Sequence, residues 1–183
     1  MMENQTDLGM IAYEQGDFAT AFAEWTKLSE NGNAQAHHNL AMLYENGQGV
    51  AENLDLAKQF CQKAAELGLA NAQYHLGYML LGSDPKAALD WWEQAAQQGL
   101  AEAQHDLAQQ YLLGENVAQD LDLAADWYEA AAQQNHTPSQ FNLGVLYANV
   151  QQYANARYWW EKAAALNSED AIAALQKLNE MNA

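Results

Sequence analysis

Apolar residues return along this chain at three- and four-residue steps, with polar residues between them. In the stretch Ala72-Gln73-Tyr74-His75-Leu76-Gly77-Tyr78-Met79-Leu80, Leu76 and Leu80 fall one turn apart on a single helical face. The same four-residue step joins Leu40 to Tyr44, Leu107 to Tyr111 and Leu143 to Tyr147. A leucine followed by a small residue recurs as Leu8-Gly9, Leu40-Ala41, Leu76-Gly77, Leu107-Ala108 and Leu143-Gly144, and Leu175 closes the series, with spacings of 32, 36, 31, 36 and 32. A second column, Trp25, Cys61, Trp92, Tyr128 and Trp160, steps by 36, 31, 36 and 32, and a third, Gly32, Gly68, Gly99, Asn135 and Asn167, repeats those steps. Three columns in register define an internal repeat.

Each repeat reads as two helices. The pattern predicts helices near 3–15, 17–31, 34–46, 53–67, 70–81, 84–98, 101–113, 120–134, 137–149 and 151–166, with a last helix near 168–181. The Gly or Ala after each anchor leucine lets a neighbouring helix approach closely. The second helix of each pair stops at the third column, because Gly and Asn tolerate the left-handed conformation that ends a helix. Asp84-Pro85 and Thr137-Pro138 read as N-caps followed by proline in the first turn. The longer repeats carry the extra loops Gly47-Gln48-Gly49-Val50 and Gly114-Glu115-Asn116-Val117, whereas the shorter ones turn tightly at Gly82-Ser83 and near Val150-Gln151. The expected fold is all-α: a right-handed α/α superhelical solenoid of about five helix pairs plus a C-terminal capping helix. The expected organisation is a single repeat domain over 1–183, with units near 1–33, 34–69, 70–100, 101–136 and 137–168 and a cap over 169–183, closed by Glu180 and Asn182.

Composition narrows the function. Half of the residues are hydrophobic and proline occurs twice, which suits closely packed helices. Twenty-four acids against 7 Lys and Arg give a net charge of −17. Such a surface repels nucleic acid and anionic lipid and attracts basic proteins. Cys61 is the one cysteine, so no intramolecular disulfide forms and a reducing, cytoplasmic compartment is expected. The N-terminal Met-Met-Glu-Asn-Gln-Thr-Asp has neither the basic nor the apolar region of a signal peptide. No apolar run approaches the roughly 20 residues of a membrane helix.

The Ala-x-Ala-Gln-x-x-Leu-Gly-x-x-Tyr first helix, the Gly-x-Gly-Val loop and the Trp-Tyr-Glu-x-Ala-Ala second helix resemble the Sel-like branch of the tetratricopeptide-type repeats. The best copies are 34–69, 101–136 and 137–168; 70–100 matches without the loop, and the first unit, with Gly16-Asp17-Phe18 and Trp25, is more like a plain tetratricopeptide repeat. The resemblance implies a non-enzymatic adaptor or scaffold in signalling, protein quality control or bacterial host contact. Some family members resemble immunity proteins that neutralise toxins of rival bacteria. A cysteine-rich bacterial branch, linked to β-lactam binding, holds each repeat with a disulfide; the single cysteine sets this chain apart from it.

No motif for catalysis, cofactor or metal emerges. There is no His-Glu-x-x-His and no Cys-x-x-Cys, and Gly47-Gln48-Gly49 is a repeat loop rather than a nucleotide fingerprint. His37 and His38 are adjacent, so their side chains diverge by about 100° on a helix and do not share a metal. Cys61 occupies a column of Trp and Tyr, so packing is its expected role.

Two surfaces stand out. Two residues before the anchor leucine come Thr6, His38, Tyr74, His105 and Phe141; two after it come Met10, Met42, Tyr78, Gln109 and Val145. The two sets share a face, which in tetratricopeptide-type arrays lines the concave groove. His38, Met42, Tyr74, Tyr78, His105, Gln109 and Phe141 are therefore candidate partner contacts, although a repeat that simply favours bulky residues there explains them equally well. The second surface is acidic. Residues 87–156 contain no Lys or Arg and nine acids: Asp90, Glu93, Glu102, Asp106, Glu115, Asp120, Asp122, Asp126 and Glu129. Asp122, Asp126 and Glu129 stripe one side of a second helix, and Glu93, Glu129 and Glu161 occupy one repeat column. The stripe is either a solvated face that keeps the protein soluble or a docking site for a basic protein. The expected partner is thus another protein, bound by a monomer. The alternative is an inhibitor that covers a basic toxin such as a nuclease.

Overall fold

A computed structural model describes residues 7–181. Among them are eleven helices and no strand: α1 (Leu8–Glu14), α2 (Phe18–Glu30), α3 (Ala34–Asn46), α4 (Leu54–Glu66), α5 (Ala70–Leu81), α6 (Pro85–Gln97), α7 (Ala101–Leu113), α8 (Leu121–Gln133), α9 (Thr137–Asn149), α10 (Tyr153–Ala165) and α11 (Glu169–Met181). The chain divides into two compact units, one ending at Trp91 and the other beginning at Trp92. In the first, α1 packs on α2, α2 on α3, α3 on α4 and α4 on α5. In the second, α7 packs on α8, α8 on α9, α9 on α10 and α10 on α11.

The third repeat column ends the second helices as expected. Gly32, Gly68, Gly99, Asn135 and Asn167 all have positive φ, from 63 to 91°. After each, the next amide donates to the carbonyl five residues back: Asn33 to Leu28, Leu69 to Ala64, Leu100 to Ala95, His136 to Ala131 and Ser168 to Ala163. This closure satisfies carbonyls that the helix end would leave bare. The two long loops close alike, with the Asn53 amide on Tyr44 O at 2.9 Å and the Asp120 amide on Tyr111 O at 3.0 Å.

Helix starts follow local capping, with two departures from the sequence reading. The predicted start at residue 3 lies outside the described residues, as do Thr6 and Asn182; Asp7 is extended and accepts from the Met10 amide, so α1 begins at Leu8. Asp84 caps α6 through the Ala87 amide at 3.1 Å. Thr137, expected as the matching cap, is instead the first residue of α9, and His136 holds the cap position with no side-chain bond to a backbone amide. Pro138 removes one of the amides that a cap would satisfy, and the His136 ring bonds to the Ser139 hydroxyl instead.

The core is a size match between two repeat columns. A Cβ on Gly9 would stand 2.6 Å from Trp25 Cδ1, and one on Gly144 would run into the Trp160 indole. Ala41 clusters with Cys61, and Ala108 with Tyr128. A tryptophan on the second helix thus faces a glycine on the first, and a smaller Cys or Tyr faces an alanine. The sequence keeps this rule in the remaining repeat, which has Gly77 and Trp92. The indole N–H groups find acceptors beside the glycines: Trp25 Nε1 donates to Asp7 Oδ1 and Trp160 Nε1 to Phe141 O, both at 3.2 Å.

Adjacent pairs are stitched by a glutamine three residues before the anchor leucine. Gln73 donates to Ala65 O at 3.2 Å, Gln104 to Ala96 O at 2.9 Å and Gln140 to Ala132 O at 3.0 Å. All three are buried, so losing one side chain would strand a carbonyl in a dry interface.

Gly144→Ala should destabilise the chain by about 1–3 kcal/mol through overpacking, although alanine otherwise favours a helix over glycine by about 1 kcal/mol. Trp160→Tyr combined with Gly144→Ala recreates the pairing of Tyr128 with Ala108. In a denaturant double-mutant cycle, the Gly144→Ala and Trp160→Tyr pair should show a favourable coupling of about 0.5 kcal/mol or more. Additive losses would mean that the two columns do not set each other's size.

Candidate interaction surface

In the first unit the first-helix column is partly open to solvent. Tyr74 and Tyr78 stand one turn apart on α5, edge to face at 5.0 Å and 82°, with hydroxyls 3.3 Å apart. Tyr74 is half-buried, and Tyr78 is 50% exposed. His38 and Met42 on α3 are half-buried. They line a cleft of about 250 Å³ with Met10, Tyr13, Gln35 and Asn71. Burial, and secondarily the neighbouring His75, pushes the His38 pKa down to about 4, so its ring is neutral at neutral pH.

In the second unit the same column is engaged internally. His105 Nδ1 and His136 Nδ1 both meet the Ser139 hydroxyl, at 2.9 and 2.8 Å. The hydroxyl has one proton to give and two lone pairs, so it donates to at most one ring and at least one of the two histidines donates from Nδ1–H. His105 also packs on Tyr128, with ring centroids 5.3 Å apart. Ser139 has no solvent exposure, so this Ser–His contact is a packing bond inaccessible to a substrate. Phe141 is half-buried against the Trp160 cluster and borders a second cleft of about 520 Å³ with Thr137, Leu166, Glu169 and Asp170. Gln109 is exposed.

The candidate acids lie at the surface to different depths. Asp90, Glu93, Glu102, Asp122 and Asp126 are exposed, while Asp106 and Glu129 are half-buried. Their fields reach different neighbours. Glu129 and Asp126 help to raise the Tyr147 hydroxyl pKa, behind burial. Glu93 and Asp120 do the same for Tyr111. Glu102 and Asp106 pull His136 up, against a larger downward push from burial.

The structure also brings together residues that the sequence reading left apart. His38, Cys61 and His75 each offer a ligand atom, all within 4.8 Å of one another. They come from three consecutive helices, so no local spacing announces them. The visible clue was that His38 and Cys61 belong to repeat columns and His75 precedes an anchor leucine. Cys61 is fully buried, in keeping with its packing role, and burial pushes its thiol up to about 12, with Glu45 adding to the effect.

Helix pairs of this size, closed by one shared turn and packed through one shared seam, make the chain an α/α repeat protein. A family profile of the Sel1 repeat matches residues 34–69, 70–100, 101–136 and 137–168. The chain belongs to the Sel1 repeat family, and its fold is the α/α solenoid of that family. The crystal structure of a Sel1 repeat protein from Oxalobacter formigenes is 31% identical with a TM-score of 0.82, over 87% of this chain and 49% of that one. A protective antigen of uropathogenic Escherichia coli is 30% identical with a TM-score of 0.78, over 90% of this chain and 38% of that one. An uncharacterized protein of Neisseria meningitidis serogroup B is 32% identical over 104 residues, which are 57% of this chain and 22% of that one. The chain therefore spans half or less of the length of these relatives. No helix among the described residues is long and apolar enough to cross a membrane.

The His105–His136–Ser139 cluster makes stability pH-dependent. Burial is the main cause that lowers both histidine pKa values from the ordinary 6.5; His136 adds to the effect on His105, and Asp106 opposes it. Above 6.5 the rings are neutral in both folded and unfolded chains. Below it the unfolded chain takes up protons first, so stability falls with pH. The thermal midpoint should drop between pH 7 and 5, and less steeply in His105→Gln. An unchanged pH slope in that variant would show that His105 is freely protonated in the folded chain.

Proposed function

We propose that this chain is a non-enzymatic adaptor or scaffold, in line with the Sel1 repeat fold being typically a protein-interaction module, and that its partner is a basic protein. The observation that carries the reading is the Tyr74–Tyr78 pair beside half-buried His38 and Met42 on the adjacent first helices of one unit. Aromatic and methionine side chains supply large contact area at low entropic cost, and exposed Tyr hydroxyls add hydrogen bonds. His105, Gln109 and Phe141 hold the same repeat positions in the second unit, where His105 and Phe141 contribute less because they are packed internally. The acids Asp90, Glu93, Glu102, Asp106, Asp122, Asp126 and Glu129 supply the selectivity, through a run with no Lys or Arg from 87 to 156. Opposite charge speeds association and is screened by salt over about 8 Å at 0.15 M. The absence of a catalytic constellation from the sequence, together with the reducing compartment suggested by its single cysteine, fits a cytoplasmic binding protein.

A second reading rests on the charge of −17. A surface so acidic imitates a nucleic acid backbone and suits an inhibitor, or immunity protein, that caps the basic cleft of a nuclease toxin. The two readings part on what the bound partner can still do. A partner that keeps its activity when bound supports the adaptor; a hydrolase silenced at one-to-one stoichiometry supports the inhibitor.

The test is affinity capture from native lysate, mass spectrometry, and titration of the captured protein at low and high salt. Tyr78→Ala should weaken binding by about tenfold or more, the range of an aromatic interface anchor, with helicity unchanged by circular dichroism. Asp122→Asn, Asp126→Asn and Glu129→Gln together should slow association and flatten its salt dependence. Unchanged binding in Tyr78→Ala would remove the first-helix column from the interface, and an unchanged salt slope would leave the stripe a solvated face.

A further inference from the structure

His38 on α3, Cys61 on α4 and His75 on α5 converge with their ligand atoms within 4.8 Å of one another. We infer that these three side chains form a site for a divalent, borderline-soft metal ion of the zinc class, which pins α5 onto the α3–α4 pair. Imidazole and thiolate are the donor types that hold zinc, and a set of two imidazoles and one thiolate leaves the fourth position of a four-coordinate site to water, with bond lengths of about 2.0–2.3 Å. Ligand atoms so bonded stand about 3.3–3.8 Å apart. The three groups need to close by about an ångström, within reach of small side-chain rotations.

Three further observations favour an ion. The Nδ1 atom of His38 is buried and has no hydrogen-bond partner, so protein packing alone leaves this ring with a costly unsatisfied nitrogen. Glu45 holds a carboxylate oxygen 3.0 Å from His75 Nε2. With the Cys61 thiolate it supplies two negative charges, which neutralise a divalent ion in a largely buried place. His38 also lines the first-unit cleft, which gives an ion a way in.

The repeat itself does not call for these residues. The equivalent places in the second unit are His105, Tyr128 and Asn142. There Asn142 donates to the Tyr128 hydroxyl at 3.3 Å, and His105 packs on the ring. An ordinary polar contact therefore fills the same three columns where ligands are absent. In the first unit those columns carry His, Cys and His on three helices held by their own packing, which fixes the donors more firmly than a loop would. As the Sγ–metal bond forms, the Cys61 S–H bond breaks and its proton leaves to solvent. Nothing is oxidised or reduced.

The experiment uses the full chain, stripped with a chelator and titrated with Co(II) as a spectroscopic probe and then with Zn(II). One Co(II) should bind per chain, with a sulfur-to-cobalt charge-transfer band and visible absorption of four-coordinate intensity. One equivalent of Zn(II) should bleach both and raise the thermal midpoint. Cys61→Ala should lose the charge-transfer band and the Zn(II)-dependent shift. His75→Asn, which installs the residue already present at Asn142, should bind at least about tenfold more weakly. His37→Asn, one residue away from the cluster, should bind as the parent does. If Cys61→Ala fails to fold by circular dichroism, His75→Asn alone decides. A six-coordinate Co(II) spectrum without a sulfur band would assign binding to surface carboxylates and overturn the site. So would an equal Zn(II) shift in the parent and in Cys61→Ala or His75→Asn.

Discussion

The Trp160 indole lies against α9 where Gly144 offers no side chain, and the architecture depends on contacts of this kind. An α/α pair buries its seam only if one helix supplies volume and the other yields it. In this chain the balance is kept repeat by repeat. Gly9 and Gly144 receive Trp25 and Trp160, whereas Ala41 and Ala108 accompany Cys61 and Tyr128. Protein interiors tolerate neither a void of methyl size nor an overlap of one. The two columns are therefore coupled, and neither can drift in size without the other.

That seam has consequences for polar groups. With the second helix seated so closely, the carbonyls of Ala65, Ala96 and Ala132 near its end are cut off from water. The glutamines at 73, 104 and 140 reach back to satisfy them. His37 stands at this position in its own repeat and leaves Nδ1 without a partner. The alignment of three glutamines in sequence is thus a statement about hydrogen bonding across helix pairs as much as about composition.

The same packing decides which members of a repeat column remain free to act. His105 and Tyr74 are equivalent in sequence. His105 is drawn into Ser139, Tyr128 and His136, whereas Tyr74 leans on Tyr78, which keeps half of its surface in solvent. The difference arises from neighbours on other helices. Ser139 on α9 and the aromatic Tyr128 on α8 give His105 something to hold. The charge excess behaves similarly. Nine acids in a row of 70 residues form one feature in sequence, but folded they act on separate neighbours, Tyr147, Tyr111 and His136.

Helix number, order and ends were legible in the sequence, because each is a local property. The anchor leucines and their partners four residues on declare the helical face. Gly32, Gly68, Gly99, Asn135 and Asn167 declare the stops, since few other residues accept a positive φ. The exception at Thr137 is local too: with His136 at the cap position, Pro138 falls at the second helical residue, where it lacks the amide that a capping side chain would use. The joining of α3, α4 and α5 at His38, Cys61 and His75, the meeting of two histidines at Ser139, and the exposure of Tyr78 beside the engagement of His105 were decided by tertiary structure alone. These depend on distances between helices whose meeting side chains lie 14 to 37 residues apart in the chain. Periodicity shows which face a residue occupies, but the approach of one face to another is set by the volumes packed between them.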